Sequence, residues 1–112
     1  MQNKSYTEIL DTYAHYQYCC FVCGKRANQL AHIITNSKSN RKEYSAKIID
    51  SKLNVLPACS LECNALIDTG KNTLLKNNIE RYIRTGNRSQ IEQLVRDNIA
   101  RKKERLCKHD DV

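Results

Sequence analysis

Apolar residues recur at helical spacing near the start of the chain. The positions that predict one helical face are Ile9, Leu10, Tyr13 and Tyr16. Ser5 and Glu8 precede most of them with the spacing of a capping box, in which each side chain bonds to a free backbone N–H at the start of a helix. We therefore predict a helix of about ten residues that begins at Tyr6.

The last third of the chain shows the same periodicity twice. The first pattern predicts a helix from Thr73 to about Thr85, with Leu74, Leu75, Ile79, Tyr82 and Ile83 facing inward. The second predicts a helix from Gln90 to about Leu106, with a capping box at Ser89 and Glu92. Its apolar stripe consists of Ile91, Leu94, Val95, Ile99 and Leu106, and Lys102 also falls on this stripe.

The middle of the chain has the pattern of short strands. The segment "NQLAHII" is strand-like and runs into a polar segment, "TNSKSNRKEYS", that we predict to be a loop. Residues 44–49 and 53–56 are candidates for further short strands on either side of Asp50 and Ser51. Ser60 then caps a predicted helix through "LECNALID", which ends at Gly70. The predicted class is α+β, with helices flanking a small core of strands and one helix.

Length and composition indicate one domain. The chain has 112 residues, with no internal repeat and no Pro- or Gly-rich linker. We predict a single domain over residues 1–112, with a core at 19–70 and helical flanks at 1–18 and 71–112. The sequence starts without the regions of a signal peptide, and no run reaches the ~18 apolar residues of a membrane span. We expect a cytoplasmic protein without a membrane partner, in which thiols stay reduced.

The charge of the chain is positive and concentrated. The formal net charge is +7, and residues 76–108 carry ten Lys or Arg but four Asp or Glu. A basic surface favours a polyanionic partner, because binding to phosphates releases their condensed counterions. The two C-terminal helices are thus candidates for nucleic-acid binding or for dimerisation.

Four of the six cysteines form two pairs at metal-ligand spacing. Cys20 and Cys23 lie in "CFVCG", a zinc-knuckle turn, and Cys59 and Cys63 enter the predicted helix at Ser60. Two such pairs predict a structural zinc site with four thiolate ligands. The simpler interpretation is that these thiols are small buried apolar groups. Cys19 is an alternative partner for Cys23, and Cys107 with His109 forms a third, weaker pair.

The segments "CFVCGKRANQLAHII" and "LNVLPACSLECN" together place a His between the two Cys pairs and an Asn on each side of the second pair. This combination resembles the zinc-stapled branch of the HNH endonucleases. Their ββα-metal fold consists of two strands and a helix around one catalytic metal ion. The resemblance covers about residues 20–70, which is roughly half of the chain.

The resemblance implies roles for particular residues. His32 matches the general base that deprotonates the attacking water, and Asn54 matches the Asn that orients its imidazole. Asn64 matches the last motif residue, a ligand of the catalytic metal. Asp68, one helical turn further on, is an additional candidate ligand. Amide and carboxylate oxygens suit Mg²⁺ or Mn²⁺, so zinc would be structural and this second ion catalytic.

The leading hypothesis is therefore a metal-dependent endonuclease that hydrolyses double-stranded DNA. One active site cuts one strand, so a restriction-type enzyme is expected to be a homodimer. The alternative is a non-catalytic zinc-stapled DNA-binding module. Ala31 favours it, because many HNH enzymes have an acidic residue or a second His at this position. A protein-interaction adaptor explains the amphipathic helices but not the concentrated charge.

Overall fold

A computed structural model describes residues 6–110, with side chains for residues 9–105. In this range it shows six α-helices, one short 3-10 helix and one two-stranded antiparallel sheet. The elements in chain order are α1 (Tyr6–His15), β1 (Gln29–His32), α2 (Lys38–Tyr44), α3 (Ala46–Ile49), the 3-10 helix (Lys52–Asn54), β2 (Val55–Ala58), α4 (Leu61–Ile67), α5 (Thr73–Thr85) and α6 (Arg88–Asp110).

The sheet and α4 form the centre of the fold. Gln29 lies opposite Ala58 and His32 lies opposite Val55 in the antiparallel register. All four residues of β2 are buried, since α1 and α4 both pack against this strand. The predicted mixture of helix and sheet is confirmed, and β2 begins two residues later than the predicted strand at 53–56.

The helix predicted at the start of the chain is confirmed. α1 begins at Tyr6 and spans ten residues, as its apolar periodicity indicates. The predicted capping box cannot be compared in the same way, because Ser5 and the side chain of Glu8 lie outside the part of the chain that the structure describes.

The hydrophobic core includes residues of the sheet, of α4, which packs against both strands and against α6, and of the C-terminal helices. Fully buried side chains include Ala31 on β1, Ile67 on α4 and Ile79 on α5. Burying one large aliphatic side chain contributes about 1.5–3 kcal/mol, so this core is a main source of stability. The inward position predicted for Leu74 is wrong, since 73% of this residue is exposed. Leu75 takes the inward position, because successive helical residues are turned by about 100°.

α6 is the longest helix, and its start differs from the prediction. It begins at Arg88, two residues before the predicted Gln90. The predicted capping box at Ser89 is wrong, because Oδ1 of Asn87 accepts a hydrogen bond from the Gln90 N–H at 3.3 Å. Like every other helix within residues 6–110, α6 lacks the combination of length and apolar character needed to cross a bilayer.

The polar segment that we predicted as a loop contains a helix. α2 is capped by Ser37, whose Oγ accepts from the Asn40 N–H at 3.2 Å. Asn40 and Tyr44 are buried on the inner face of α2, and the Tyr44 hydroxyl donates to Oδ1 of Asn77 on α5 at 2.8 Å. The prediction is wrong because these polar side chains obtain their hydrogen-bond partners from distant parts of the chain.

The strand predicted at residues 44–49 is also a helix, α3. Ile48 and Ile49 are both buried, which a strand with one exposed face does not allow. Ser45 joins α2 to α3 with φ 80° and ψ 155°. A non-glycine residue in this region costs about 1–3 kcal/mol. The strain is held by helical bonds on both sides, from the Ser45 N–H to the Arg41 carbonyl at 3.0 Å and from the Ile49 N–H to the Ser45 carbonyl at 3.2 Å.

A group of aromatic and charged side chains, which we call the α1–α6 clasp, joins the segment directly after α1 to the first half of α6. Its members are Tyr16, Phe21, Arg88, Glu92 and Arg96. The Tyr16 hydroxyl donates to Oε2 of Glu92 at 2.7 Å, and burial together with this bond raises the pKa of Tyr16 to about 12. The guanidinium carbon of Arg88 lies 5.7 Å from the Tyr16 ring centre, and that of Arg96 lies 4.9 Å from the Phe21 ring centre. Two arginines of the basic region therefore serve in packing.

Candidate functional site

Four cysteine side chains converge beside the sheet and the first turn of α4. Their Sγ atoms all lie within 4.8 Å of one another, and they belong to Cys20, Cys23, Cys59 and Cys63. The Sγ atoms of Cys23 and Cys59 are 3.3 Å apart, and those of Cys59 and Cys63 are 3.8 Å apart. Four sulfurs around a tetrahedral zinc ion lie about 3.8 Å from one another. This four-cysteine cluster, the set predicted from the spacing, could hold such a metal ion.

The first pair is positioned by a tight turn. The Gly24 N–H bonds to the Cys20 carbonyl at 3.0 Å, and Gly24 has a φ of 80°, which favours glycine. The Cys20 N–H bonds to the Lys25 carbonyl at 2.6 Å, which closes the turn. The Phe21 N–H donates to the carbonyl of Pro57 at 2.9 Å. This last bond fixes the turn against β2 and so brings the first pair to the second.

The second pair is positioned by the end of β2 and the start of α4. Cys59 directly follows the strand, and Ser60 caps the helix because its Oγ accepts from the Cys63 N–H at 3.1 Å. This cap confirms the predicted helix start and places the Cys63 sulfur one turn from Cys59. The helix ends at Ile67, three residues before the predicted end at Gly70.

The four thiols are not electrostatically equivalent. Desolvation disfavours the Cys20 thiolate, but hydrogen bonds from the backbone N–H groups of Cys23, Val22 and Cys59 outweigh it and lower the pKa of Cys20 to about 7. The neighbouring Cys23 thiol, together with desolvation, raises the pKa of Cys59 to about 12, and desolvation raises the pKa of Cys63. Four thiolates this close repel one another, so a bound cation is what allows all of them to ionise.

The other cysteines do not join this cluster in the described structure. The Cys19 thiol donates to the Gln17 carbonyl at 3.3 Å and lies outside the group of converging sulfurs. Cys107 and His109, the weaker pair noted in the sequence, have side chains outside the part that the structure describes.

A second group of predicted residues, which we call the His32 corner, surrounds the end of β1. It consists of His32, Asn54, Asn64 and Asp68. His32 is half-buried at the last position of the strand, and Asn54 is fully buried directly before β2. Asn54 Oδ1 accepts from the Ile34 N–H at 2.9 Å, and its Nδ2 donates to the carbonyls of Ile34 and Ile49 at 3.0 Å each. Asn54 therefore fixes the backbone two residues after His32, and its predicted contact with the imidazole stays a prediction.

Asn64 and Asp68 contact the chain on either side of His32. Asn64 Nδ2 donates to Oε1 of Gln29, three residues before His32, at 2.8 Å. Asp68 Oδ1 accepts from Oγ1 of Thr35, three residues after His32, at 2.6 Å. Asn64 lies in α4 and Asp68 directly follows this helix, so the two side chains contact the chain before and after His32.

Lys102 is a member of this region that the sequence analysis did not recognise. Its Nζ donates to the Ala65 carbonyl at 2.8 Å and to the Asp68 carbonyl at 2.6 Å. The last carbonyls of a helix lack intrahelical partners, so this ammonium group stabilises the end of α4. Desolvation lowers the pKa of Lys102. The sequence contained one indication of this role, because Lys102 is a single charged residue on the apolar stripe of α6.

A second metal cluster is not seen among the side chains of residues 9–105. The four cysteines are the one group of three or more His, Cys, Asp or Glu whose ligand atoms converge there. Ala31, directly before His32, is fully buried and provides no ligand atom. The predicted Mg²⁺ or Mn²⁺ site, with Asn64 and Asp68 as ligands, therefore stays a prediction.

The chain and its fold were compared with known protein families, proteins and structures. No protein-family model, curated protein or solved structure matches this chain. The chemistry of the site must therefore be inferred from its own residues. These offer thiols at the first turn of α4, and imidazole, amide and carboxylate groups around the end of β1.

The basic surface is smaller than the sequence suggests. In α6, the exposed cations among the described side chains are Arg96, Arg101, Lys103 and Arg105, and three of these four follow residue 100. Arg88 and Lys102 are half-buried and have structural contacts, and Arg96 also lies over the Phe21 ring. The positive charge available to a partner on α6 is thus concentrated in its second half.

Proposed function

We propose that this protein is a metal-dependent DNA endonuclease of the HNH type, stapled by a structural zinc ion. The observation that supports it best is the arrangement of β1, β2 and α4. His32 ends β1, Asn54 directly precedes β2, and α4 packs against both strands. This is the strand, strand, helix order that the resemblance implies. Four thiolates are a ligand set that zinc favours, which supports zinc in the cluster.

In this proposal His32 removes a proton from the water that attacks a phosphodiester. An imidazole suits this task because its ordinary pKa is near neutrality. Asn64 and Asp68 would hold Mg²⁺ or Mn²⁺ through amide and carboxylate oxygens, which suit a hard cation. Such an ion, when bound, stabilises negative charge on the phosphate and on the leaving oxygen. Asn54 positions His32 through the backbone of the loop that it holds.

The test is cleavage of supercoiled plasmid and genomic DNA by zinc-loaded protein, with Mg²⁺, with Mn²⁺ and without either ion. We expect metal-dependent products from the wild type. His32→Ala should lower the rate by about 100-fold or more, the usual contribution of a general base. His15→Ala is the matched control, since His15 lies on α1 with its Nε2 4.0 Å from Glu92. Cleavage by the His32 variant at the control rate would exclude the assigned base.

The products also test the expected homodimer. A dimer with two active sites should give linear plasmid directly, whereas a monomer should accumulate nicked circles first. Light scattering of the protein alone and on a duplex would give its oligomeric state. The exposed residues Arg101, Lys103 and Arg105 of α6 form one candidate surface for this contact, and for contact with DNA.

A non-catalytic DNA-binding module is the second candidate, and buried Ala31 favours it. Ala31 occupies the position at which many HNH enzymes have an acidic or His ligand. Without that ligand, fewer protein groups hold the catalytic ion, which weakens the case for hydrolysis. In this alternative, every plasmid sample stays intact while the protein shifts DNA in a gel. The shift should weaken steeply as salt is raised, because binding depends on phosphate contacts.

A further inference from the structure

An open cleft of about 590 Å³ lies between α3 with the 3-10 helix on one side and α5 on the other. Its apolar floor is formed by Ile48 and Ile83, which are 5% and 8% exposed. Its rim carries three exposed cations, Lys47, Lys52 and Arg84. The cleft lies outside both the four-cysteine cluster and the His32 corner, so neither of those sites explains it.

The charge of the rim is only partly compensated within the protein. Arg84 pairs with Glu80 on the same helix, at 2.8 Å. Asp50, the carboxylate in the lining, accepts two bonds from Arg41 at 3.0 Å each, so its charge is directed toward that guanidinium. The cleft therefore presents a positive rim above an apolar floor.

Two serines in the wall of the cleft take part in hydrogen bonds that hold its backbone. The strained residue Ser45 lies in the lining, together with the hydroxyl-bearing Ser51. Ser51 Oγ accepts from the Leu53 N–H at 3.1 Å and so caps the 3-10 helix that leads to Asn54. Hydroxyl and cationic side chains on a fixed backbone are the groups that proteins use to contact phosphate.

The cleft is joined to the His32 corner by a single side chain. Asn54 bonds to the carbonyl of Ile49, which lies between the lining residues Ile48 and Asp50 in the chain, and to both backbone groups of Ile34, two residues after His32. A strand of DNA that lies along this wall would thus be positioned relative to the end of β1. A small ligand usually binds in an enclosed pocket with buried polar partners. This cleft is open and its cations are exposed, which suits a DNA strand that extends beyond it on both sides.

We propose that this cleft binds the sugar-phosphate backbone of substrate DNA beside the phosphate at His32. The proposal rests on the proposed function for its substrate. It assigns DNA contacts to Lys47 and Lys52, which lie in the chain between β1 and β2. The sequence led us to expect DNA contacts from the helical flanks instead.

The experiment compares two double variants of equal charge change. Lys47→Ala with Lys52→Ala removes two rim cations, whereas Lys25→Ala with Lys71→Ala removes two exposed lysines outside the lining. The dissociation constant of each protein for a short duplex is measured over a range of salt concentrations, without Mg²⁺ or Mn²⁺. Losing two phosphate contacts should reduce the slope of log K against log salt by about 1.8. The control pair should keep the wild-type slope, and zinc content should be equal in all three proteins.

Equal slopes for the two double variants would overturn the proposal. Binding of a mononucleotide that the cleft variant abolishes, without any change in duplex binding, would also overturn it, since it would indicate a small-anion site. The salt slope tests the cleft, and plasmid cleavage tests the nuclease, so the two proposals can fail independently. A reduced slope without cleavage would keep the cleft and reject the nuclease, and cleavage with an unchanged slope would do the reverse.

Discussion

The four-cysteine cluster and the His32 corner both involve α4, but they differ in what satisfies their polar atoms. In the cluster, the sulfurs lie mainly against one another, with Cys23 and Cys59 only 3.3 Å apart. In the His32 corner, the side chains already have partners in the protein. Asn54 bonds to backbone at three points, and Asp68 accepts from both Thr35 and the Gly70 N–H.

This difference predicts that the two regions depend on different sources of stability. A group of converging thiols is complete only when a cation compensates their ionised forms, so metal affinity becomes folding free energy. A hydrogen-bonded corner keeps its shape without a cation, and it depends on the burial of its bonds. Changes in one region should therefore leave a distinct signature from changes in the other.

The largest expected effect comes from breaking the cluster. Cys59→Ser removes a sulfur that lies close to two others. Structural zinc contributes about 10 kcal/mol or more in small domains, comparable to the whole stability of a domain of this size. We expect the variant to lose zinc and its cooperative thermal transition, as measured by metal analysis and circular dichroism.

Cys19→Ser is the matched control for this loss, because the Cys19 thiol bonds to a backbone carbonyl outside the cluster. It should keep one zinc per chain and a cooperative transition. A stable, folded Cys59 variant without metal would contradict the idea that this region depends on a cation.

A smaller effect is expected from breaking the corner. Asn54→Ala leaves one N–H and two carbonyls of the buried backbone without partners. Each unsatisfied group costs about 1–3 kcal/mol, so we expect the free energy of unfolding to fall by about 4 kcal/mol. Asn64→Ala removes one half-buried bond to Gln29 and should cost about 1 kcal/mol. Denaturant titration of the zinc-loaded proteins gives both values, and equal losses would show that Asn54 does not hold the loop.

An effect smaller than that of Asn54→Ala is expected at the end of α4, where Lys102 of α6 bonds to the last carbonyls. Lys102→Met keeps most of the apolar stem but removes the bonds to the Ala65 and Asp68 carbonyls, at a cost of about 2 kcal/mol. Lys103→Met, at an exposed position, should change stability by less than about 0.5 kcal/mol. Hydrogen exchange should accelerate at the end of α4 only in the Lys102 variant. Loss of zinc in that variant would show that the two ends of α4 are not independent.

Features that are determined by residues close together in the chain could be predicted from the sequence. The four converging cysteines and the Ser60 cap were predictable, because turn spacing and capping act within a few residues. α1 and α5 were predictable from periodicity that is repeated over several turns. These features need no knowledge of distant neighbours.

The failures occur where distant contacts decide. α2 looks like a polar loop until Tyr44 and Asn40 receive partners from α5, Asn77 for the hydroxyl and Lys76 for the amide oxygen. Lys102 looks like a defect in an apolar stripe until the end of α4 lies beside it. The backbone bonds of Asn54 and the placement of Asn64 at Gln29 likewise depend on the tertiary fold, which the spacing of motif residues does not specify.

The α1–α6 clasp also has a consequence for how the protein is made. Tyr16 and Glu92 are separated by 76 positions in the chain. At a synthesis rate of about 5–20 residues per second, the Tyr16 ring emerges several seconds before its partner exists. The aromatic side chains of this region remain uncovered on the ribosome during that interval, when chaperones and neighbouring chains can reach them. Among the elements of residues 6–110, α6 is the last to be synthesised, so the bond between Tyr16 and Glu92 forms only after the first turns of α6 have emerged.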